Sequence, residues 1–269
     1  MPSMTIEGVS ERMIAERDGG IGWITFNNPA RRNALSLDMW ESVPRIFDAF
    51  EQDPAVRVVV LRGAGDEAFV SGADISEFET ARASPEAIAR YDAIAEQAMR
   101  RLEYATKPTI AMIRGYCIGG GVAVALACDL RIAGQGSRFG VPAARLGLGY
   151  RMTGVKKLVD IVGPAYAKEI FFTARHFSAA EAREMGLVNR VVPDEELEAF
   201  VRAYAETIAE NAPLTIGAVK EIIAEIEKPG DAIDRAKCDR LVKRCFASED
   251  YVEGRRAFME KRKPVFAGR

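Results

Sequence analysis

The sequence has few of the residues on which metal, redox and nucleotide chemistry depends. It contains one histidine, and its four cysteines show neither metal-ligand spacing nor a CxxC pair. No GxGxxG motif opens a helix after the first predicted strand, and there is no GxxxxGK[ST] motif. We therefore expect free thiols in a reducing compartment, no metal site, and neither a Rossmann nor a P-loop nucleotide site.

The chain also lacks an excess of charge and a long apolar run. Its net charge of -2 gives no electrostatic reason to expect nucleic acid or a membrane as a partner. No apolar run approaches the roughly 20 residues that span a bilayer, and residues 1–8 do not resemble a signal peptide. We expect a cytoplasmic protein whose 269 residues, 48% of them hydrophobic, form one large core.

Residues 107–129, KPTIAMIRGYCIGGGVAVALACD, are the most informative segment. Thr109–Ile113 predicts a buried strand, and the small apolar residues of Val122–Cys128 predict a buried helix. Gly119–Gly121 place N–H groups without side chains at the start of that helix, where negative charge is favoured. Such donors can stabilise an oxyanion. Three glycines are equally compatible with a turn needed only for close packing.

The remaining pattern predicts strands that alternate with helices, followed by a helical tail, which is an α/β fold. The predicted strands are 13–15 and 21–26, paired as a hairpin, and then 56–61, 109–113, 130–133 and 188–192. The predicted helices before the tail are 36–50, 85–104, 122–128, 153–162, 164–173 and 179–185. Residues 63–72 and 139–150 are predicted loops, and the tail of 195–262 is predicted to break at Pro213, Pro229-Gly230 and near Ser248. No internal sequence repeat is visible.

An ordered set of motifs runs through essentially the whole chain. The motifs are Asn28-Pro29-x-x-x-Asn33-Ala34-Leu35, Phe69 to Ile75 (FVSGADI), Lys107-Pro108, Gly115-Tyr116-x-x-Gly119-Gly120-Gly121, Cys128-Asp129, Phe139-Gly140-x-Pro142, Glu181-Ala182-x-x-Met185-Gly186-Leu187-Val188 and Glu253-Gly254-x-x-Ala257-Phe258. Each motif alone is weak, but in this order the set resembles the crotonase (enoyl-CoA hydratase/isomerase) superfamily.

The resemblance implies an α/β crotonase (ClpP-like) spiral of β-β-α units. It implies that residues 1–195 form the core with an acyl-CoA site, and that 196–269 form a helical region that drives assembly into a homotrimer or a hexamer. The implied partner is an acyl-CoA thioester, and no cofactor is implied beyond the coenzyme A of the substrate.

The resemblance also implies an oxyanion hole for the thioester carbonyl, formed by the N–H groups of Ala73 and Gly120. Arg31 or Arg32 would lie near the phosphates of coenzyme A, and Phe258 and Lys261 would complete the pocket from the tail or from a neighbouring subunit. Asp74 is also compatible with a simple helix cap. The implied coenzyme A contacts are Arg31, Arg32, Ala34, Ala73, Asp74, Ile75, Ser76, Gly120, Phe258 and Lys261.

The chain departs from the family at the two positions that carry catalytic glutamates. Hydratases have one three residues after the middle glycine and one after the FGxP-type proline, where this chain has Ala123 and Ala143. Addition of water needs one carboxylate to activate water and another to protonate carbon. Isomerases keep the second glutamate, which is also missing here. Related isomerases and dehalogenases use an aspartate near the position of Arg151.

One hypothesis is decarboxylation of a malonyl-type thioester, because loss of CO₂ generates the enolate without a base. Tyr150 stands where methylmalonyl-CoA decarboxylases of the superfamily carry an active-site tyrosine, and the second half of the chain resembles those enzymes. Without that context Tyr150 would be a packed or surface aromatic residue. Those decarboxylases have a histidine at the position of Ala73, which weakens the analogy.

Two other hypotheses stay open. One is a hydratase or isomerase whose acid/base groups have moved to flanking positions, where each acid is otherwise a solvated helix charge: Glu77, Glu79, Asp92, Glu96 and Glu103. The other is a protein of the same fold that binds an acyl-CoA, or RNA, without turnover. Arg145 and Arg151 could pair with a substrate carboxylate or lie on the surface, and His176, the single histidine, fits a structural role.

Overall fold

Two β-sheets organise the chain in the computed structural model, which describes residues 4–74 and 84–269. The strands are β1 (Met13–Asp18), β2 (Ile21–Phe26), β3 (Val58–Gly63), β4 (Ala68–Val70), β5 (Thr109–Ile113), β6 (Tyr116–Ile118), β7 (Leu130–Gly134), β8 (Arg138–Gly140), β9 (Phe177–Ser178) and β10 (Arg190–Val192). The larger sheet has six strands in the order β1-β2-β3-β5-β7-β10, and the smaller has four in the order β4-β6-β8-β9. The pairs β1–β2 and β8–β9 are antiparallel, and the other described pairs are parallel.

The chain repeats one arrangement three times: a strand of the larger sheet, a strand of the smaller sheet, and a helix. The helices of this part are α1 (Leu37–Gln52), α2 (Pro85–Glu103), α3 (Gly120–Ala127), α4 (Met152–Thr173) and α5 (Ala179–Glu184). The three turns are β3-β4-α2, β5-β6-α3 and β7-β8-α4. The predicted α/β spiral of β-β-α units is confirmed, and its repetition lies in the backbone rather than in a sequence repeat.

The central strand β3 is buried on both of its faces. Successive side chains of a strand point to opposite faces, and here Val58 and Val60 pack in one hydrophobic cluster while Val59 and Leu61 pack in the other. The β-branched run therefore predicted a doubly buried strand correctly. The observed strand begins two residues later than predicted and extends through Gly63.

The smaller sheet is where the prediction from residue pattern was wrong. Residues 63–72 were predicted as a loop, but Ala68–Val70 forms β4; residues 139–150 were predicted as a loop, but Phe139 and Gly140 belong to β8. The predicted glycine turn also contains β6. Each of these strands has three residues, which is too short for alternation to show. Pairing with neighbouring strands therefore decides these elements.

The tail is helical and breaks where predicted. Its helices are α6 (Leu197–Glu210), α7 (Pro213–Ile226), α8 (Arg235–Phe246) and α9 (Glu249–Glu260). Helix α6 packs Leu197, Val201 and Ala205 on the face of the larger sheet that carries Val58 and Val60. Helices α7 and α8 pack against each other, and α9 packs on α8. The division of the chain into 1–195 and 196–269 stays a prediction.

Candidate active site

Three parallel strands of the smaller sheet end side by side and position the candidate site. Val70 of β4 pairs with Cys117 of β6, and Ile118 of β6 pairs with Gly140 of β8. Segments that follow the carboxyl ends of parallel strands lie at one edge of a sheet. The segments 71–74, 119–123 and 141–151 therefore begin side by side, and along their lengths they contain Ala73, Gly120, Ala123, Ala143 and Tyr150.

The first segment presents the backbone N–H of Ala73. The Leu35 N–H donates to the Gly72 carbonyl oxygen at 2.8 Å, and the Asp74 N–H donates to the Leu35 carbonyl oxygen at 2.9 Å. This parallel bridge fixes residues 72–74 without using the Ala73 N–H, which donates to no residue in the described ranges. Ala73 therefore offers an unused backbone donor at the end of β4.

The second segment brings the N–H of Gly120 to the same place. Gly120 is the first residue of α3, so its N–H has no partner within the helix. A Cβ on Gly120 would lie 3.7 Å from the Ala73 nitrogen, which shows that the two turns are in contact. Gly119, with φ of +53°, precedes the helix, and a Cβ on Gly121 would lie 2.1 Å from the Val70 carbonyl oxygen. The glycines therefore allow close packing of the two segments and also leave the Gly120 N–H accessible as a donor.

Asn33 ties the loop that follows β2 to the start of β4, and sequence reasoning treated it only as part of a motif. It is buried, and its φ of +56° is a left-handed conformation that asparagine tolerates. Its Oδ1 accepts from the Asn28 N–H at 3.0 Å, and its Nδ2 donates to the carbonyl oxygens of Ala64 at 3.0 Å and Ala68 at 2.7 Å. The Asn-Pro-x-x-x-Asn spacing could have indicated this role, since asparagine commonly bonds to nearby backbone.

The two candidate phosphate ligands differ in their surroundings. Arg32 donates from Nε to Glu67 at 2.6 Å, and its guanidinium lies 5.4 Å from the centre of the Tyr116 ring. Arg31 is exposed, and its guanidinium has no partner in the described part of the chain. Its carbonyl oxygen accepts a hydrogen bond from the Ser71 hydroxyl at 3.2 Å, which ties it to the first turn. Arg31 is therefore the cation left available to an anionic ligand.

We predict that Arg31→Ala raises KM for a coenzyme A ester about tenfold, the effect of losing one charge-assisted hydrogen bond, with little change in kcat. Arg32→Ala is the matched control, because Arg32 is already engaged by Glu67. We expect its KM to change less than threefold. A larger KM effect for Arg32→Ala than for Arg31→Ala would contradict this assignment.

Asp74 belongs to the first segment, 71–74, and Ala34 directly precedes Leu35, which is bridged to Ala73. Ala34 is buried, and its carbonyl oxygen accepts a hydrogen bond from Asn28 Nδ2 at 3.2 Å. Asp74 is also buried. The predicted contacts Ile75 and Ser76, and the acids Glu77 and Glu79, lie outside the described residues. The contacts of all these residues with coenzyme A stay predictions.

Ala123 and Ala143, the positions at which the family resemblance implies glutamates, carry methyl groups in the segments that follow β6 and β8. Ala123 lies on α3, and its N–H donates to the Gly119 carbonyl oxygen at 3.2 Å. Ala143 is buried in a short 3₁₀ helix, Pro142–Arg145, directly after β8. Neither position supplies a carboxylate that could move a proton.

The described acids on α2 that could replace those glutamates are committed elsewhere or face solvent. Asp92 accepts from Arg151 Nη2 at 2.5 Å, and Glu103 pairs with Lys157 at 2.5 Å. Glu96 is exposed. The Arg151 pair also ties the segment after β8 to α2.

Tyr150 lies at the end of the third segment and is packed rather than on the surface. Its ring meets the Phe171 ring edge-to-face with centroids 5.0 Å apart. A Cβ on Gly154 would lie 3.4 Å from the Tyr150 ring, so glycine leaves room for the ring. Burial raises the pKa of Tyr150 above its usual 10.0. The hydroxyl bonds to no residue in the described ranges, so it is a neutral donor without a partner there.

The remaining candidates lie at a distance from these turns or on the surface. Arg145 is exposed, and His176 is exposed with its ring 5.8 Å from the Tyr116 ring. Phe258 is 83% exposed on α9, and Lys261 follows that helix with φ of +55°. The predicted contribution of Phe258 and Lys261 to the pocket, from the tail or from a neighbouring subunit, stays a prediction.

No three or more His, Cys, Asp or Glu side chains in 4–74 and 84–269 are placed to hold a metal ion. All four cysteines are free thiols. Within those same ranges, no helix has both the length and the apolar character needed to cross a membrane.

Comparisons with known proteins agree with this fold. The family model described as Enoyl-CoA hydratase/isomerase matches residues 16–269. The short-chain-enoyl-CoA hydratase of Clostridium acetobutylicum is 35% identical over 93% of this chain and 95% of its own. The crotonyl-CoA hydratase of Syntrophomonas wolfei is 36% identical over 95% and 98%. A crystal structure of an enoyl-CoA hydratase/carnithine racemase from Magnetospirillum magneticum has a TM-score of 0.93 at 38% identity and covers 97% of both chains.

The spiral and the paired backbone donors define a protein of the crotonase superfamily. The chain belongs to the enoyl-CoA hydratase/isomerase family and is an acyl-CoA enzyme of that family.

Proposed function

We propose that this enzyme decarboxylates a malonyl-type coenzyme A thioester. The bond between C2 and the carboxylate breaks, CO₂ leaves, and the electron pair moves into the thioester to give an enolate. The N–H groups of Ala73 and Gly120 stabilise the enolate oxygen. Addition of a proton from water to C2 then gives the saturated acyl-CoA.

The observation that supports this reaction most is the absence of a carboxylate at positions 123 and 143, while the Ala73 and Gly120 N–H groups remain paired. Positions 123 and 143 are alanine, and the described acids Asp92 and Glu103 are held in ion pairs. Hydration and isomerisation both need a group that takes and returns a proton. Decarboxylation needs none, and a glutamate at either alanine would repel the carboxylate of the substrate.

Tyr150 is the residue that we propose to orient the departing carboxylate. Its packing against Phe171 fixes the ring, and its raised pKa keeps the hydroxyl protonated. A neutral phenol donates a hydrogen bond to an anion without adding a negative charge to the site. The bond holds the carboxylate so that the breaking bond aligns with the carbonyl π-system.

Hydration of a short enoyl-CoA is the second candidate. It is favoured by the relatives named short-chain-enoyl-CoA hydratase and crotonyl-CoA hydratase, at 35% and 36% identity. In that case the proton-transfer groups would lie among the acids of residues 75–83, such as Glu77 or Glu79, or would be exposed acids such as Glu96.

A paired assay separates the two reactions. The purified enzyme is given methylmalonyl-CoA and crotonyl-CoA in parallel, and CO₂ release and loss of enoyl absorbance are followed. We expect CO₂ release and no hydration. Hydration at an ordinary enzymatic rate, above about 1 s⁻¹, would overturn the proposal. Binding of both esters without either reaction would overturn it in favour of a non-catalytic acyl-CoA protein.

We also propose that the enzyme assembles as a homotrimer or a dimer of trimers through its tail. Val219, Ile223 and Ile226 follow one face of α7 and are 51%, 52% and 64% exposed. Such a face is typical of a surface covered by another subunit. Light scattering that gives the monomer mass of 29.5 kDa would contradict this assembly.

A further inference from the structure

A buried guanidinium lies at the C-terminal end of α3, the helix whose first residue is Gly120. Arg131 of β7 is 7% exposed. It donates from Nη1 to the carbonyl oxygens of Cys128 at 2.7 Å and Ala125 at 3.4 Å, and from Nε to that of Leu187 at 2.8 Å. All three acceptors are backbone carbonyls. In the described ranges, no carboxylate forms an ion pair with Arg131.

The neighbouring charges leave that end of α3 positive. Asp129 lies two residues before Arg131 in the sequence, but its carboxylate accepts from Lys220 Nζ at 2.7 Å and from the Thr109 hydroxyl at 3.0 Å. The Cys128 thiol stays neutral, because burial raises its pKa to about 12. Lys220 therefore neutralises the charge of Asp129, and the positive charge of Arg131 is not neutralised by a carboxylate in the described ranges.

Burying a charge that has no opposite charge beside it costs free energy. The position of Arg131 at the end of α3 therefore needs a physical explanation. The C-terminal end of a helix carries a partial negative charge, which a cation there stabilises. That partial negative charge would also repel a negative charge that develops at the N-terminal end of the same helix. Arg131 offsets that opposition and adds its own attraction along the axis of α3, which is about 12 Å long.

We propose that Arg131 is an electrostatic positioning residue that strengthens the oxyanion hole through α3. The inference rests on the proposed role of the Gly120 N–H, and it applies to any reaction that builds negative charge on the thioester oxygen. A unit charge about 15 Å away, at an effective dielectric constant of about 20, changes a rate roughly five- to tenfold. Arg131→Met should therefore lower kcat by that factor and leave KM within about twofold.

The closing experiment measures how strongly the protein polarises the carbonyl group of a bound thioester. Propionyl-CoA with a ¹³C label at its thioester carbonyl is bound to each variant, and the carbonyl stretch is measured by infrared difference spectroscopy. A stronger oxyanion hole lowers this frequency. In Arg131→Met we expect the frequency to return part of the way toward its value in water. Arg131→Lys keeps the charge and should stay close to wild type.

Two further variants control for folding and for the loss of any arginine. Lys220→Met leaves the Asp129 carboxylate to cancel Arg131, so it should move the carbonyl frequency in the same direction without emptying the buried site. Arg202→Met removes an arginine that pairs with Asp18 and lies 5.2 Å from the centre of the Trp23 ring. Trp23 packs in the hydrophobic cluster that contains Val58 and Val60, whereas the side chains of α3 pack in the other cluster. We therefore expect no change in the carbonyl frequency.

The outcomes distinguish this inference from the proposed reaction. An unchanged frequency in both Arg131→Met and Lys220→Met would overturn the role of Arg131, as would equal losses in Arg131→Met and Arg131→Lys, which would indicate packing alone. A wild-type enzyme that polarises the carbonyl but releases no CO₂ would refute only the decarboxylation. A wild-type enzyme that does not polarise the carbonyl would overturn the oxyanion hole and this inference together.

Discussion

Replacing Gly120 with proline is expected to lower turnover about 10²–10³-fold, because it deletes one of two donors to the developing oxyanion. Proline has no N–H, and its fixed φ suits the first residue of a helix, so α3 should still form. The measurement is kcat for CO₂ release, together with the circular dichroism spectrum and the melting temperature of the variant.

Gly120→Ala is the matched control for that substitution. It adds a Cβ in the same place but keeps the N–H, and its nearest contact would be 3.6 Å from the Gly72 carbonyl carbon, an ordinary packing distance. We expect it to lose about tenfold or less, since only the fit of the substrate changes. If the proline and alanine variants are equally active, or equally inactive, the N–H of Gly120 is not the group that matters.

Replacing Tyr150 with phenylalanine is expected to lower CO₂ release about 100-fold, because the carboxylate loses its donor. The ring and its contact with Phe171 remain, so the melting temperature should stay close to wild type. Burial raises the pKa of Tyr150 above 10.0, and the phenol is the form that we propose to be active. Activity that depends on this donor should therefore persist as pH rises through 9 and fall only above about 10.

Tyr166→Phe tests whether any tyrosine of that region would have the same effect. Tyr166 lies on α4 and is partly buried against the same hydrophobic cluster, and we expect no loss of CO₂ release from it. Tyr150→Phe with full activity would remove the tyrosine from the mechanism. Loss of activity in both variants would indicate that packing of α4, rather than the Tyr150 hydroxyl, is what the substitutions disturb.

The larger sheet and the helices could be predicted from the sequence, whereas most of the smaller sheet could not. The run of Val58 to Leu61 is buried on two faces and carries its own signal, and the helix breaks at Pro213 and Ser248 follow from local chemistry. Strands such as Ala68–Val70 have no such signal. They exist because a neighbouring strand supplies their hydrogen bonds, and no local window of sequence contains that information.

For the candidate site, too, some features could be predicted from the sequence and others could not. The glycine run, the alanines at positions 123 and 143 and the presence of Tyr150 can all be read directly from the sequence. The sequence could not choose between Arg31 and Arg32, because the choice depends on Glu67, some 35 residues away, which engages only Arg32. It could not show that Asp92 is held by Arg151 either, since that pair joins α2 to the segment after β8.

The sequence by itself determined the family, through which the β-β-α spiral was implied, and it placed alanine at positions 123 and 143, because each depends on which residues occur and in what order. Only the tertiary structure decided which groups are available. The parallel pairing of β4 and β6 brings Ala73 against Gly120, and the fold places Arg131 at the far end of α3. Hydrogen bonds and fields act through space, so their partners are fixed only when distant segments pack together.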